Sequence, residues 1–126
     1  MVDGNYGVYN GKVYSIGFDK NKIMLFPDPG SENDIMFNKE YLGTRYKSVN
    51  YRDLSEAYKL TSYAEYKGYK IPIGREVGDE YELYLTDHEL AQKLGFKNCD
   101  KGEYDLMVKK TDVNVVTEKT PIDLNR

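Results

Sequence analysis

Tyr6-Gly7-Val8-Tyr9-Asn10-Gly11-Lys12-Val13-Tyr14-Ser15-Ile16-Gly17 lies over Tyr63-Ala64-Glu65-Tyr66-Lys67-Gly68-Tyr69-Lys70-Ile71-Pro72-Ile73-Gly74 at a constant offset of 57. Five positions are identical: Tyr6/Tyr63, Tyr9/Tyr66, Gly11/Gly68, Ile16/Ile73 and Gly17/Gly74. Both segments read as hairpins. Asn10-Gly11 is the strongest two-residue turn signal, because both central residues must take φ > 0 and these types tolerate it. Lys67-Gly68 is the weaker version. The turns set Gly7 opposite Tyr14 and Ala64 opposite Ile71, a small residue facing a large one each time.

Outward from the hairpins the matches continue. Ile23 to Phe26 lies over Tyr81 to Tyr84 at offset 58, Leu42-Gly43 over Leu94-Gly95 at 52, and Tyr46 over Tyr104 at 58. The same order of elements twice, with about six extra residues around Phe96 to Lys101 in the second half, is the mark of duplicated units. Period-two alternation in Tyr81-Glu82-Leu83-Tyr84-Leu85 puts Tyr81, Leu83 and Leu85 on one face and Glu80, Glu82 and Tyr84 on the other. One helix is signalled. Thr86 can cap it with Glu89 reaching back, Leu90, Ala91 and Leu94 form its apolar side, and Gly95 ends it. Its counterpart is expected between Asp34 and Leu42, after the turn-rich Pro27-Asp28-Pro29-Gly30. Strands are expected at Arg45 to Val49 and Tyr104 to Val108, each followed by a polar turn. The tail from Thr117 to Arg126 is expected to fray. The expected fold is therefore α+β and mainly β. Two tandem β-rich repeats, residues 1–60 and 61–126, form SH3-like small barrels or strongly bent sheets, each with a short helical insert, packed as one compact unit.

Composition narrows the function. The 126 residues carry a net charge of −3. Residues 1–61 hold eight acids and eight bases, so the imbalance lies in residues 62–126. From Glu76 to Gln92 there are six acids and no Lys or Arg. With no basic cluster, counterion release onto Lys and Arg cannot drive binding, which argues against nucleic acid. No apolar run approaches roughly 18 residues, so no membrane span and no membrane partner are expected. Residues Met1 to Asn5 have neither a basic nor an apolar character, so no signal peptide is expected. The single Cys99 fits a reducing compartment, and the cytoplasm is the expected location.

Catalytic chemistry finds little footing, and the expectation is that the protein is not an enzyme. His88 reads as an exposed residue of the first helical turn, with no specific orienting partner for a general base. Asn98 and Asp100 give Cys99 no positive field to activate it. No second Cys or His completes a zinc site, and Asp79-Glu80-Tyr81-Glu82 lacks the spacing of a calcium loop. Gly4, Gly7 and Gly11 do not make G-x-G-x-x-G, and no phosphate-loop G-K-S/T occurs. No cofactor or metal is expected. The thirteen tyrosines are first of all strand residues. Tyr84, outward among acids, is the one that reads as a contact residue.

The second half resembles small proteins of low-GC Gram-positive bacteria. The residues that carry the likeness run from Tyr63-Ala64-Glu65-Tyr66-Lys67-Gly68 through Leu94-Gly95-Phe96 to Gly102-Glu103-Tyr104. In size and acidity the chain resembles immunity proteins of bacterial polymorphic or contact-dependent toxin systems. That resemblance implies a short cytoplasmic protein that binds and blocks one toxin domain. It carries no functional residues over. The partner-binding surface expected from the residues themselves is Asp79, Glu80, Glu82, Tyr84, Asp87 and Glu89, facing a basic partner such as a nuclease toxin. The alternative is a tandem SH3-like adaptor that reads a peptide or a cell-wall component.

Overall fold

The structure, a computed structural model, describes residues 2–124. Its elements are β1 (Gly4–Tyr9), β2 (Lys12–Asp19), β3 (Lys22–Phe26), β4 (Lys39–Tyr41), β5 (Thr44–Asn50), β6 (Leu54–Tyr66), β7 (Tyr69–Val77) and β8 (Glu80–Leu85). They are followed by α1 (His88–Leu94), β9 (Lys97–Asp100), β10 (Glu103–Lys109) and β11 (Asn114–Pro121). Short 3-10 turns at Tyr51–Asp53 and Lys110–Asp112 occupy the two expected polar turns.

The local hairpin readings hold. Asn10 and Gly11 have φ of 50° and 78°, Lys67 and Gly68 of 48° and 84°. Both pairs therefore adopt the doubly left-handed turn whose twist matches antiparallel strands. Gly7 pairs with Tyr14 and Ala64 with Ile71, in the register those turns dictate.

The fold class differs from expectation. Strands take 62% of the described residues, and the only α-helix among them is α1, seven residues long. The strands form one eleven-stranded antiparallel sheet in the order β4-β5-β3-β2-β1-β6-β7-β8-β10-β9, with β11 on β6. The order has two ends, so the sheet does not close into a barrel. Two SH3-like repeats with a helical insert in each are thus ruled out. Two physical causes stand behind the correction. β6 runs unbroken for 13 residues and pairs with β1 and with β7, so no strand end falls at residue 60. The expected first helix is absent because Leu42-Gly43 is a hairpin turn, not a helix end: Leu42 and Gly43 have φ of 51° and 82° between the paired strands β4 and β5.

By contact density the chain divides into two units: residues up to Leu60 with the chain from Lys119 onward, and Thr61–Glu118. In the first, Ile16, Ile23, Leu25, Phe37, Val49 and Leu54 form the main core. The tail does not fray where expected. Ile122 donates its N–H to the Ala57 carbonyl at 2.9 Å, and Leu124 is buried in that core. Residues 125 and 126 lie outside the described residues. In the second unit, α1 brings Ala91 and Leu94, with Phe96 just beyond it, onto Ala64, Ile71, Leu83 and Val108. The helix ends as the sequence demands. Gly95 is left-handed at φ 82°, and Phe96 N–H reaches back to the Ala91 carbonyl at 2.8 Å. It begins one residue later than expected. Asp87, not Thr86, is the cap, its carboxylate accepting the Leu90 N–H at 3.1 Å.

Candidate functional site

Because α1 covers one face of the β7–β8–β10 strands, the residues that alternate away from Leu83 form the opposite, open face of the second unit. On it Arg75, Glu82, Tyr84 and Asp105 make one network. Arg75 Nε donates to Glu82 Oε1 at 2.7 Å, and the Tyr84 hydroxyl donates to the same oxygen at 2.9 Å. Asp105, directly opposite Tyr84 across the β8–β10 ladder, shares a side-chain hydrogen bond with Glu82. Neither Arg75 nor Asp105 was legible as a site residue. Strand alternation could have placed Asp105 and Met107 opposite Tyr104, Leu106 and Val108, but not beside Glu82.

A glycine makes the arrangement possible. The β7–β8 register shifts between Ile73 and Arg75, leaving Gly74 in the bulge. A Cβ on Gly74 would stand 1.9 Å from Tyr84 Cε2, so the tyrosine ring occupies the space that a side chain at this position would fill. Its ring is pinned from below by Gly74 and its hydroxyl by Glu82, while the residue remains 36% exposed. Tyr84 thus presents a rigid aromatic surface with little rotamer freedom left to lose on binding.

Electrostatics follow from the hydrogen bonds. The Arg75 guanidinium, then the Tyr84 hydroxyl, holds the Glu82 carboxyl below its ordinary range. The same carboxylate pushes Arg75 and Tyr84 up. Asp105 is pushed up, first by the hydrogen bond it shares with Glu82 and then by burial. The second carboxyl of a close pair resists losing its proton. Cys99 is exposed, and its thiol is pushed up by burial and by Asp105 and Glu103, away from a nucleophile's state.

The six expected binding residues separate into two kinds. Glu82 was expected to point outward into solvent but is buried at 4% exposure, because Arg75 and Asp105 from the neighbouring strands close over it. Its role is to hold Tyr84. Asp79, Asp87 and Glu89 are exposed and Glu80 is half-buried. Asp79 sits in the β7–β8 turn, where its carbonyl accepts the Lys110 N–H, and Asp87 is engaged as the helix cap. Lys110 also pairs with Glu76, so the acidic stretch is partly neutralised by a base that the sequence places 34 residues away. A shallow cavity of about 240 Å³ lies beside Tyr84, lined by Pro72, Leu85, Thr86 and Asp87 as well. His88 Nδ1 meets the Tyr104 hydroxyl at 2.7 Å, a phenol and not the carboxylate that would orient a general base. Among the described residues no three His, Cys, Asp or Glu side chains are placed to hold a metal ion. No helix among them is long and apolar enough to cross a membrane.

Residues 1–125 match the family described as Uncharacterised conserved protein UCP033725, and the chain belongs to that family. No curated protein and no solved structure matches it.

Proposed function

We propose that this family member is a non-catalytic, cytoplasmic protein-binding protein of the immunity type, which blocks a basic partner such as a nuclease toxin. The observation that carries the reading is Tyr84: a half-exposed aromatic ring fixed from below by Gly74 and through its hydroxyl by Glu82. Asp79, Glu80, Asp87 and Glu89 would meet the partner's Lys and Arg. The buried Glu82 would position the ring without touching the partner, and the exposed Arg75 would hold Glu82 from the edge of the contact. Rigid aromatic anchors set the lifetime of a complex, whereas rim charges set the rate of encounter. The small size, the acidity and the likeness to immunity proteins support the same reading.

The test is capture of a partner by the immobilised chain, followed by kinetics on the purified pair. A basic protein should be retained. Tyr84→Ala should raise its off-rate about tenfold or more. Glu80→Lys should mainly slow association, and the slowing should fade at high salt. An acidic partner, or one that binds both variants like the parent, would show that this face is only solvated surface.

A further inference from the structure

Four non-glycine residues among those described have positive φ: Asn10, Lys20, Leu42 and Lys67. All four sit in two-residue hairpin turns, and three of them are polar residues. Leu42 is the exception. A leucine has no local hydrogen bond to offset the left-handed conformation, and here it is also 86% exposed at the tip of the β4–β5 hairpin. Tyr41 beside it is 63% exposed. Holding an apolar side chain in a strained backbone and in water costs stability twice over, and outliers of this kind collect at contact sites.

The hairpin also has a charge. Residues 39–47 carry Lys39, Arg45 and Lys47 against Glu40 alone. Arg45 is held in place by its Nε donating to the Phe37 carbonyl at 3.0 Å. The complement to this tip, an apolar socket with an acidic rim, occurs on the same chain in the second unit. The cavity of about 240 Å³ is walled by Pro72, Tyr84, Leu85 and Thr86, with Asp87 at its edge and Glu89 following. An apolar cavity of roughly 150 Å³ already holds benzene, so this one has room for a leucine side chain. At 86% exposure, Leu42 does not fill the socket of its own chain.

We infer that the occupant is a second copy of this chain: the Tyr41–Leu42 tip of one copy seats in the Pro72–Asp87 socket of the next. Tip and socket are different surfaces, so the contact is head-to-tail. Contact through one hairpin is small, so association is weak and depends on concentration. Tyr84 belongs to the socket, and self-association would therefore cover the surface assigned above to a basic partner. The inference stands on the tip and the socket alone. If no self-association occurs, the partner reading is untouched.

Sedimentation equilibrium of the full chain at low salt tests it. The average mass should climb above 14.6 kDa as concentration rises towards ~1 mM, and should fall back at ~0.5 M salt. Leu42→Asn, which suits the left-handed turn, should abolish the rise while leaving the thermal midpoint no lower than the parent's. Thr86→Arg, which closes the socket with a cation, should abolish it too. Mixing the two variants leaves one intact tip and one intact socket, so a dimer should reappear and go no further. A single mass of 14.6 kDa at every concentration overturns the inference. So does a Leu42→Asn variant that associates like the parent, or a mixture of the variants that stays monomeric.

Discussion

The β2–β3 pair of the first unit and the β7–β8 pair of the second place the same backbone device on their open faces. Gly17 and Gly74 each lie under an aromatic ring, Phe26 in the first case and Tyr84 in the second. What surrounds the ring differs. Across the ladder from Phe26 stands Tyr46, ring centroids 6.5 Å apart, and the strand neighbour Met24 approaches Gly17 with its sulfur. Across from Tyr84 stands Asp105, and the neighbour two residues before it is the buried Glu82, bonded to Arg75. The first arrangement holds its ring by packing against Tyr46 and above Gly17, with no polar atom on the ring to fix it. The second gives the ring a hydroxyl and a fixed acceptor, the Glu82 carboxylate. A glycine-seated aromatic is therefore a packing device in one unit, and in the other a contact residue whose position is set by a buried carboxylate, itself bonded to the exposed Arg75.

The buried faces should not differ. Leu25 and Leu83 are both fully buried, and Leu25→Ala and Leu83→Ala should each cost about 2–5 kcal/mol in chemical denaturation. The open faces should. Gly74→Ala drives a methyl into the Tyr84 ring at 1.9 Å and must expel it, for a cost of about 1–3 kcal/mol. Gly17→Ala meets Phe26 Cε2 at 3.0 Å, a clash that a small ring shift relieves for less than about 1 kcal/mol. Equal costs at the two glycines would erase the distinction.

The next effect is a pH dependence set by the close carboxyl pair of the second unit. Glu82 has its folded pKa lowered, so its stabilisation is present above the ordinary glutamate value of 4.5 and is lost as pH falls through the lowered one. Asp105 has its folded pKa raised. Its contribution has the opposite sign, fully present below the ordinary aspartate value of 3.8 and lost as pH rises through the raised one. Acidification should thus first strengthen the fold as Asp105 takes up its proton, then weaken it as Glu82 does. Asp105→Asn should remove the first limb and Glu82→Gln the second, in denaturation midpoints measured from neutral pH downward. A parent whose midpoint falls monotonically would break the paired-carboxyl account.

The smallest effect concerns the turns. Asn10→Leu should cost, and Leu42→Asn should gain, from a few tenths to about 1 kcal/mol, since the two φ values are alike at 50° and 51°. Opposite signs of similar size would show that Leu42 is kept for something other than the fold.

The sequence made some of this legible. A two-residue turn with positive φ is a local demand, so Asn10-Gly11 and Lys67-Gly68 announce hairpin and register together. Gly95 announces the end of α1 for the same reason. Leu42-Gly43 carried the same signal, but its leucine suggested an apolar helix face and its glycine a helix end. Alternation showed which side of β8 Glu82 is on, and not that Arg75 and Asp105 would close over it, because they arrive from separate strands. Nor does alternation say which strands pair. The pairing of β6 with β1, and the return of Ile122 and Leu124 to the first core, depend on partners more than 40 residues away. That is why strands were foreseen and the open eleven-stranded sheet was not.

The claim at the centre of the account is that the open face of the second unit, and not the face around Phe26 in the first, is what a partner touches. The direct measurement is a map of backbone amide shifts in the labelled chain as the captured basic partner is titrated in. The account predicts that the shifts gather at Arg75, Tyr84, Asp87 and Met107, and that Tyr84→Ala weakens them all together. Shifts gathered at Phe18, Met24 and Phe26, with those four residues silent, would contradict it.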